Sequence, residues 1–222
     1  MRNATRVTVS SVGFVAAIAG LEHGIGAVVQ GNVAPPGLVF ESWAESELFS
    51  VLSGEPALTI IPNLLASGIL TILFSLLFLA WALLFIERRH GGQVLIGLSL
   101  ALLLVGGGFG PPLLGFILGA VATRIHAPLT WWRARLGVGS RHFLASLWPW
   151  SFAASLGAWL YLFPGAILLS AFTRVDDETL AISVAVAVLA AFGMLGLTIV
   201  AGFACDLQQA APPIDKLDLR TA

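Results

Sequence analysis

The chain has 222 residues, 58% of them hydrophobic and only 10% charged, with a mean hydropathy of +0.94. Soluble domains are about one quarter charged, so this composition excludes a soluble globular domain, a disordered tail and a nucleic-acid-binding module. The formal net charge of −1 gives no field to recruit a polyanion, and the single Cys205 excludes an intramolecular disulfide framework and a cysteine-rich metal site. A polytopic membrane protein remains.

A spanning helix needs roughly 20 mostly apolar residues. The first such run covers residues 7–29. Arg2 and Arg6 precede it, and Ala17-Ile18-Ala19 resembles a small-residue cleavage site, which together outline a signal peptide. The apolar run continues to Val29, so an uncleaved first span is expected. Inside it lie Glu22 and His23, roughly 10 Å below the end of the span. Ionisable groups at that depth cost several kcal/mol unless paired or wetted, which makes them functional candidates by default. Their bland role is to satisfy each other and hold two helices in register. Gly20 and Gly24 form a small-xxx-small pair that lets a second helix approach.

Residues 30–56 carry Glu41, Glu45, Glu47 and Glu55 and no Lys or Arg. Ser42-Trp43-Ala44-Glu45 has capping-box spacing, and Phe40, Trp43, Ala44, Leu48, Val51 and Leu52 recur at helical intervals. A short amphipathic surface helix over 42–53 is expected. The second span covers 57–86, with Pro62-Asn63 near its start, and Arg88 and Arg89 follow it.

Residues 93–123 are apolar but interrupted by Gly106-Gly107-Gly108-Phe109-Gly110-Pro111-Pro112, which will not continue a helix. Beyond them, residues 124–142 carry Arg124, Arg133, Arg135 and Arg141 without an acid. Positive loops stay cytoplasmic, so both basic segments belong on one side. The region between them is then a broken or re-entrant hairpin with half-helices 93–106 and 112–123. One long kinked span is the alternative. The fourth span covers 143–172, where Pro149 and Pro164 mark kinks or ends, and the fifth covers 180–204. Trp131, Trp132, Trp148 and Trp150 flank the basic segment as an interfacial belt would. The runs are continuous rather than alternating, so helices and not barrel strands are expected.

The expected fold is therefore all-α. Residues 1–222 form a single transmembrane helical bundle of four full spans plus the hairpin. Both termini are expected in the cytoplasm, with 30–56 and 173–178 outside. Lipid is the implied partner, together with further copies or other membrane subunits, and nucleic acid is not.

The candidate ligand, ion or proton pocket combines Glu22, His23, Gln30 and Asn63 with Gly106, Gly107 and Gly108. Their expected depths are similar, and Asn63 has the reach to hydrogen-bond Glu22. Unwound backbone at membrane depth often lines a substrate site. A tight glycine turn is the plain alternative. A histidine beside a carboxylate can relay protons or supply two metal ligands. His90, His126 and His142 fall at the cytoplasmic edge, too far from His23 to share a metal or a haem. No cofactor is indicated, and whether a metal binds is left open. No P-loop, nucleophile elbow, His-Glu-x-x-His or dinucleotide fingerprint occurs, which points away from an enzyme.

Gly20-Leu21-Glu22-His23-Gly24-Ile25-Gly26, Gln30-Gly31-Asn32, the 106–112 stretch and Leu147-Trp148-Pro149-Trp150-Ser151 resemble segments of a group of small multi-pass bacterial membrane proteins. The resemblance spans nearly the whole chain. It implies a bacterial inner-membrane origin and assigns no activity. Two readings lead: a permease-like protein handling a proton, a cation or a small solute in an outward-facing pocket, or a non-catalytic membrane subunit or assembly factor with a packed Glu22–His23 pair. A third, a membrane enzyme on lipid or quinone, lacks a converging acid–base–nucleophile set.

Overall fold

A chain without enough polar surface for water must satisfy its backbone internally, and helices do this most simply. A computed structural model of the protein describes residues 3–44, 46, 49, 54–173 and 176–210. In chain order these form α1 (Ala4–Gln30), β1 (Val39–Glu41), β2 (Pro56–Leu58), α2 (Leu64–Ala80), α3 (Gly91–Val105), α4 (Gly110–Ala122), α5 (Thr130–Arg135), α6 (Val138–Leu160), α7 (Ala166–Phe172) and α8 (Asp177–Gln209). Wider, π-type turns extend α2 through Trp81–Phe85 and join α6 to α7 across Tyr161–Gly165. Four helical stretches are long and apolar enough to cross a membrane: Ala4–Gln30, Leu64–Phe85, Val138–Phe172 and Glu178–Gln209. The protein is an all-α membrane bundle.

Helix α1 is the centre. It packs on α2, α4, α6 and α8, and many of its buried positions are small, among them Ala16, Ala17, Ala19, Gly20, Gly24 and Ala27. Gly24 meets the backbone of Gly68 and Ile72, so a side chain there would force α1 and α2 apart. Outward-facing Leu84, Leu189 and Phe172 are 72%, 76% and 83% exposed. Large apolar side chains left uncovered on long helices have lipid as their natural neighbour.

Segment 91–122 is an antiparallel helical hairpin, the arrangement expected from the charge of its flanking loops, and not the alternative single kinked span. Gly106 ends α3 at φ 108°, a left-handed conformation that disfavours any side chain. Pro111 and Pro112 sit in the first turn of α4, where a missing N–H costs nothing. Gly115 and Gly119 let the two halves touch, against Ser99 and against Gly92 and Ile96.

The carbonyls freed where α3 stops are taken up by neighbours. Ile60 N donates to Leu104 O (2.9 Å), and Ser67 Oγ and Thr71 Oγ1 donate to Val105 O (2.5 and 2.7 Å).

The basic segments share one end of the bundle with the first helix. Arg6 Nε lies 3.4 Å from Glu87, and Asn3 Nδ2 donates to Ile125 O. Asp206 accepts from Ala4 N (2.7 Å), Thr5 N (3.1 Å) and Thr5 Oγ1 (2.6 Å). The start of an α-helix has unpaired N–H groups and partial positive charge, so a carboxylate brought there by α8 satisfies both.

The opposite end differs from the expectation. Phe40 pairs with Ala57 in a short antiparallel strand pair, β1 with β2, and Thr59 bridges to Val105 over the hairpin turn. Within the expected 42–53 helix, residues 42–44 form a turn, and most of the rest lies outside the described residues. Ser42 N and Trp43 N donate across the strand pair to Glu55 O and Gly54 O (3.1 and 3.0 Å). In the fourth span Pro149 lies inside a continuous helix, while the break falls at the other expected proline: Phe163, directly before Pro164, is extended with φ −132° and ψ 106°.

Candidate functional site

His23 is 4% exposed, on the α1 face shared with Ala19, Gly20 and Ala27. Helical side chains lean toward the helix N-terminus, and accordingly Nδ1 lies 2.9 Å from Ala19 O. Gly108 receives the other edge of the ring. It has φ 71°, and a Cβ at Gly108 would overlap the imidazole at Nε2. The glycine turn therefore reaches the histidine, which is the convergence the sequence suggested for these two elements.

Glu22 lies beside His23 with its side chain 24% exposed. Its Oε2 is 3.1 Å from His23 Nδ1, and its Oε1 accepts from Trp43 Nε1.

A second carboxylate completes the cluster. Glu55 Oε2 is 3.3 Å from His23 Nδ1, and the side chain is 4% exposed. Glu55 immediately precedes β2 and has φ 54°, a left-handed conformation that is unfavourable for a residue with a side chain. The hydrogen bond from Ser42 N to Glu55 O (3.1 Å) holds it there. Strain of this kind persists where the surroundings over-determine it, often at functional sites.

Three acceptors (Ala19 O, Glu22 Oε2 and Glu55 Oε2) thus converge on one ring nitrogen, which carries at most one proton. Among the described residues Glu22 Oε2 and both Glu55 oxygens have no hydrogen-bond partner. Glu22, His23 and Glu55 offer one ligand atom each within 4.8 Å of one another. The chemistry of such a cluster is the uptake of positive charge, since buried acceptors in excess of donors are costly until a proton or a cation joins them.

Two apolar cavities end on this cluster. One, of about 340 Å³, touches His23 and Glu55 and is walled by Phe109, Trp159, Phe163 and Val188. A smaller one, of about 130 Å³, touches Glu22 and Glu55 between Ile18 and Pro164. Phe163, at the break between α6 and α7, lines both.

The remaining candidates take other roles. Gln30 Nε2 donates to Glu41 O (3.0 Å) and Ser42 O (2.8 Å) and so ties β1 to α1. It also lines a cavity of about 640 Å³ with Gly26 and Trp43, and neither Glu22 nor His23 is in that lining. Asn63 does not meet Glu22. Its Oδ1 accepts from Ala66 N to cap α2, and its Nδ2 donates to Asn32. Gly106 lies under Ser67 and Thr71, and Gly107 N donates to Leu102 O (2.8 Å), so both serve the turn.

Sequence reasoning missed Glu55 and Trp43. The signal available for Glu55 was an acid held between Gly54 and Pro56 in a loop that otherwise reads as solvent-exposed charge. Comparison with protein-family models, with curated proteins and with solved structures gave no match to the chain.

Proposed function

We propose that this protein is a permease-like membrane protein that takes up a cation at the Glu22–His23–Glu55 cluster. The supporting observation is the excess of buried carboxylate oxygens over donors around His23. In the proposed orientation the basic end, with both termini, faces the cytoplasm of a bacterial cell and the strand end faces outward, because basic loops are retained inside. Few helices surround the cluster, so alternating access in this reading needs an oligomer.

A second reading has its own support. His23 is packed against Gly108 and hydrogen-bonded to Ala19 O, as it would be in a non-catalytic subunit or assembly factor.

Reconstitution separates the two. Proteoliposomes of the full chain adsorbed on a solid-supported membrane are exposed to jumps of pH, alkali, alkaline-earth and transition-metal ions. The permease reading expects a charge displacement with at least one of these, abolished by Glu22→Gln with Glu55→Gln. Silence toward all of them, with inserted and folded protein, leaves the packed subunit.

A further inference from the structure

Building on the cation-binding reading, we propose that Glu22, His23 and Glu55 bind a divalent first-row transition-metal ion, with His23 Nδ1 and one oxygen from each carboxylate as ligands. Three observations carry this. The first is spacing. Metal–ligand bonds of 2.0–2.2 Å place adjacent donors roughly 3.0–3.5 Å apart, and His23 Nδ1 lies 3.1 Å from Glu22 Oε2 and 3.3 Å from Glu55 Oε2. The second is charge. Once deprotonated as ligands, two carboxylates and a neutral imidazole carry −2, which a divalent ion cancels, and a neutral centre is the least costly kind inside a bilayer. The third is the unpartnered state of Glu55, a side chain more than nine-tenths buried and aimed at the histidine with neither oxygen hydrogen-bonded among the described residues.

The donor set narrows the ion. Calcium takes six to eight oxygens, and magnesium prefers oxygen ligands and keeps several waters. One imidazole nitrogen with two carboxylates suits zinc, manganese or iron. Ligation through Nδ1 requires that nitrogen to give up its 2.9 Å hydrogen bond to Ala19 O, which keeps its place in the α1 ladder, and puts the ring proton on Nε2, toward Gly108. Three protein ligands leave at least one coordination position open. The 340 Å³ cavity, which reaches His23 and Glu55, is the space available to a water or substrate oxygen there.

The test uses the full-length protein purified in detergent. Calorimetric titration with zinc chloride, and separately with manganese chloride, is expected to show one ion per chain for at least one of them. Loss of a mere outer-shell partner weakens metal sites 10–100-fold, so Glu55→Gln and His23→Ala should each weaken binding at least about 100-fold. Glu87→Gln, at the opposite end, should not. Failure of the wild type to bind either ion overturns the proposal, as does binding that survives both substitutions. X-ray absorption at the metal edge on the loaded wild type decides the matter without any variant. One nitrogen with oxygens is expected, and a sulfur or a second imidazole overturns it. Charge displacement by pH jumps without metal binding would keep the cation reading and remove the metal. Metal binding without charge displacement would keep the metal site and remove the permease reading.

Discussion

Glu55 Oε2 and His23 Nδ1 stand 3.3 Å apart although they come from different elements, the edge of a two-stranded hairpin and the C-terminal third of the central helix. Removing the histidine leaves two buried carboxylates facing each other without its N–H. His23→Ala should destabilise the protein by about 3 kcal/mol, as breaking buried ionic clusters does. His23→Ala with Glu55→Gln should recover part of that loss, because the amide supplies donors. Thermal unfolding in detergent measures both, and a double variant no more stable than the single one would contradict the shared environment.

Gly108 and Gly97 offer a matched contrast. A methyl group at Gly108 meets the His23 ring and must adopt φ 71°, whereas at Gly97 nothing lies within 4 Å. Gly108→Ala should therefore cost more than about 1–2 kcal/mol. Gly97→Ala should be neutral or stabilising by up to about 1 kcal/mol. Equal melting temperatures for the two variants would refute the close approach of the turn to the histidine.

Asp206 anchors α1 from the far end of the sequence through three hydrogen bonds. Asp206→Ala should cost about 1–2 kcal/mol, in the range of lost helix caps. Exchange of the Ala4 and Thr5 amide hydrogens should accelerate. Unchanged protection at those two amides would show that the cap does not hold in the membrane-inserted protein.

The hairpin predicts sidedness. In a Cys205→Ser background, single cysteines replacing Arg89 and Arg133 should react with an impermeant maleimide from the same side. A cysteine replacing Gly37 should react from the other side. Labelling of 89 and 133 from opposite sides would convert 91–122 into one span and displace the glycine turn from His23.

Asp176 caps α8 by accepting from Thr179 N (2.9 Å), and that backbone hydrogen bond, chiefly, holds its carboxyl below the ordinary range. A carboxyl depressed in the folded state stabilises it at pH values above the ordinary aspartate range, near 4 and higher. The contribution is lost as pH falls through the folded-state value. At neutral pH, Asp176→Ala should speed amide exchange at Thr179 and Leu180. The difference from wild type should shrink in acid, and a difference that persists there would rule out the carboxylate as the cap.

Length, apolar runs and loop charge were enough to specify the membrane class, the four long helices and the hairpin. These are one-dimensional properties: a helix needs a run of apolar residues, a glycine–proline break ends it, and arginines sort to one side. Glu22 and His23 stood out for the same reason, as ionisable residues where lipid would surround an ordinary helix.

Tertiary structure decided what those residues meet. Glu55 lies 32 positions from His23, in a loop whose acids all read alike, and only the pairing of β1 with β2 turns one of them inward. The same pairing engages Ser42 N and Trp43 N at the 42–44 turn, and most of the expected 42–53 surface helix lies outside the described residues. Asn63 and Gln30 bond to other partners, since expected depth along a helix says nothing about which way a side chain points across the bundle. The backbone break at Gly106 was legible. That its carbonyls are already satisfied by Ile60, Ser67 and Thr71, leaving Gly108 to receive the histidine, depends on contacts between segments that the sequence holds far apart.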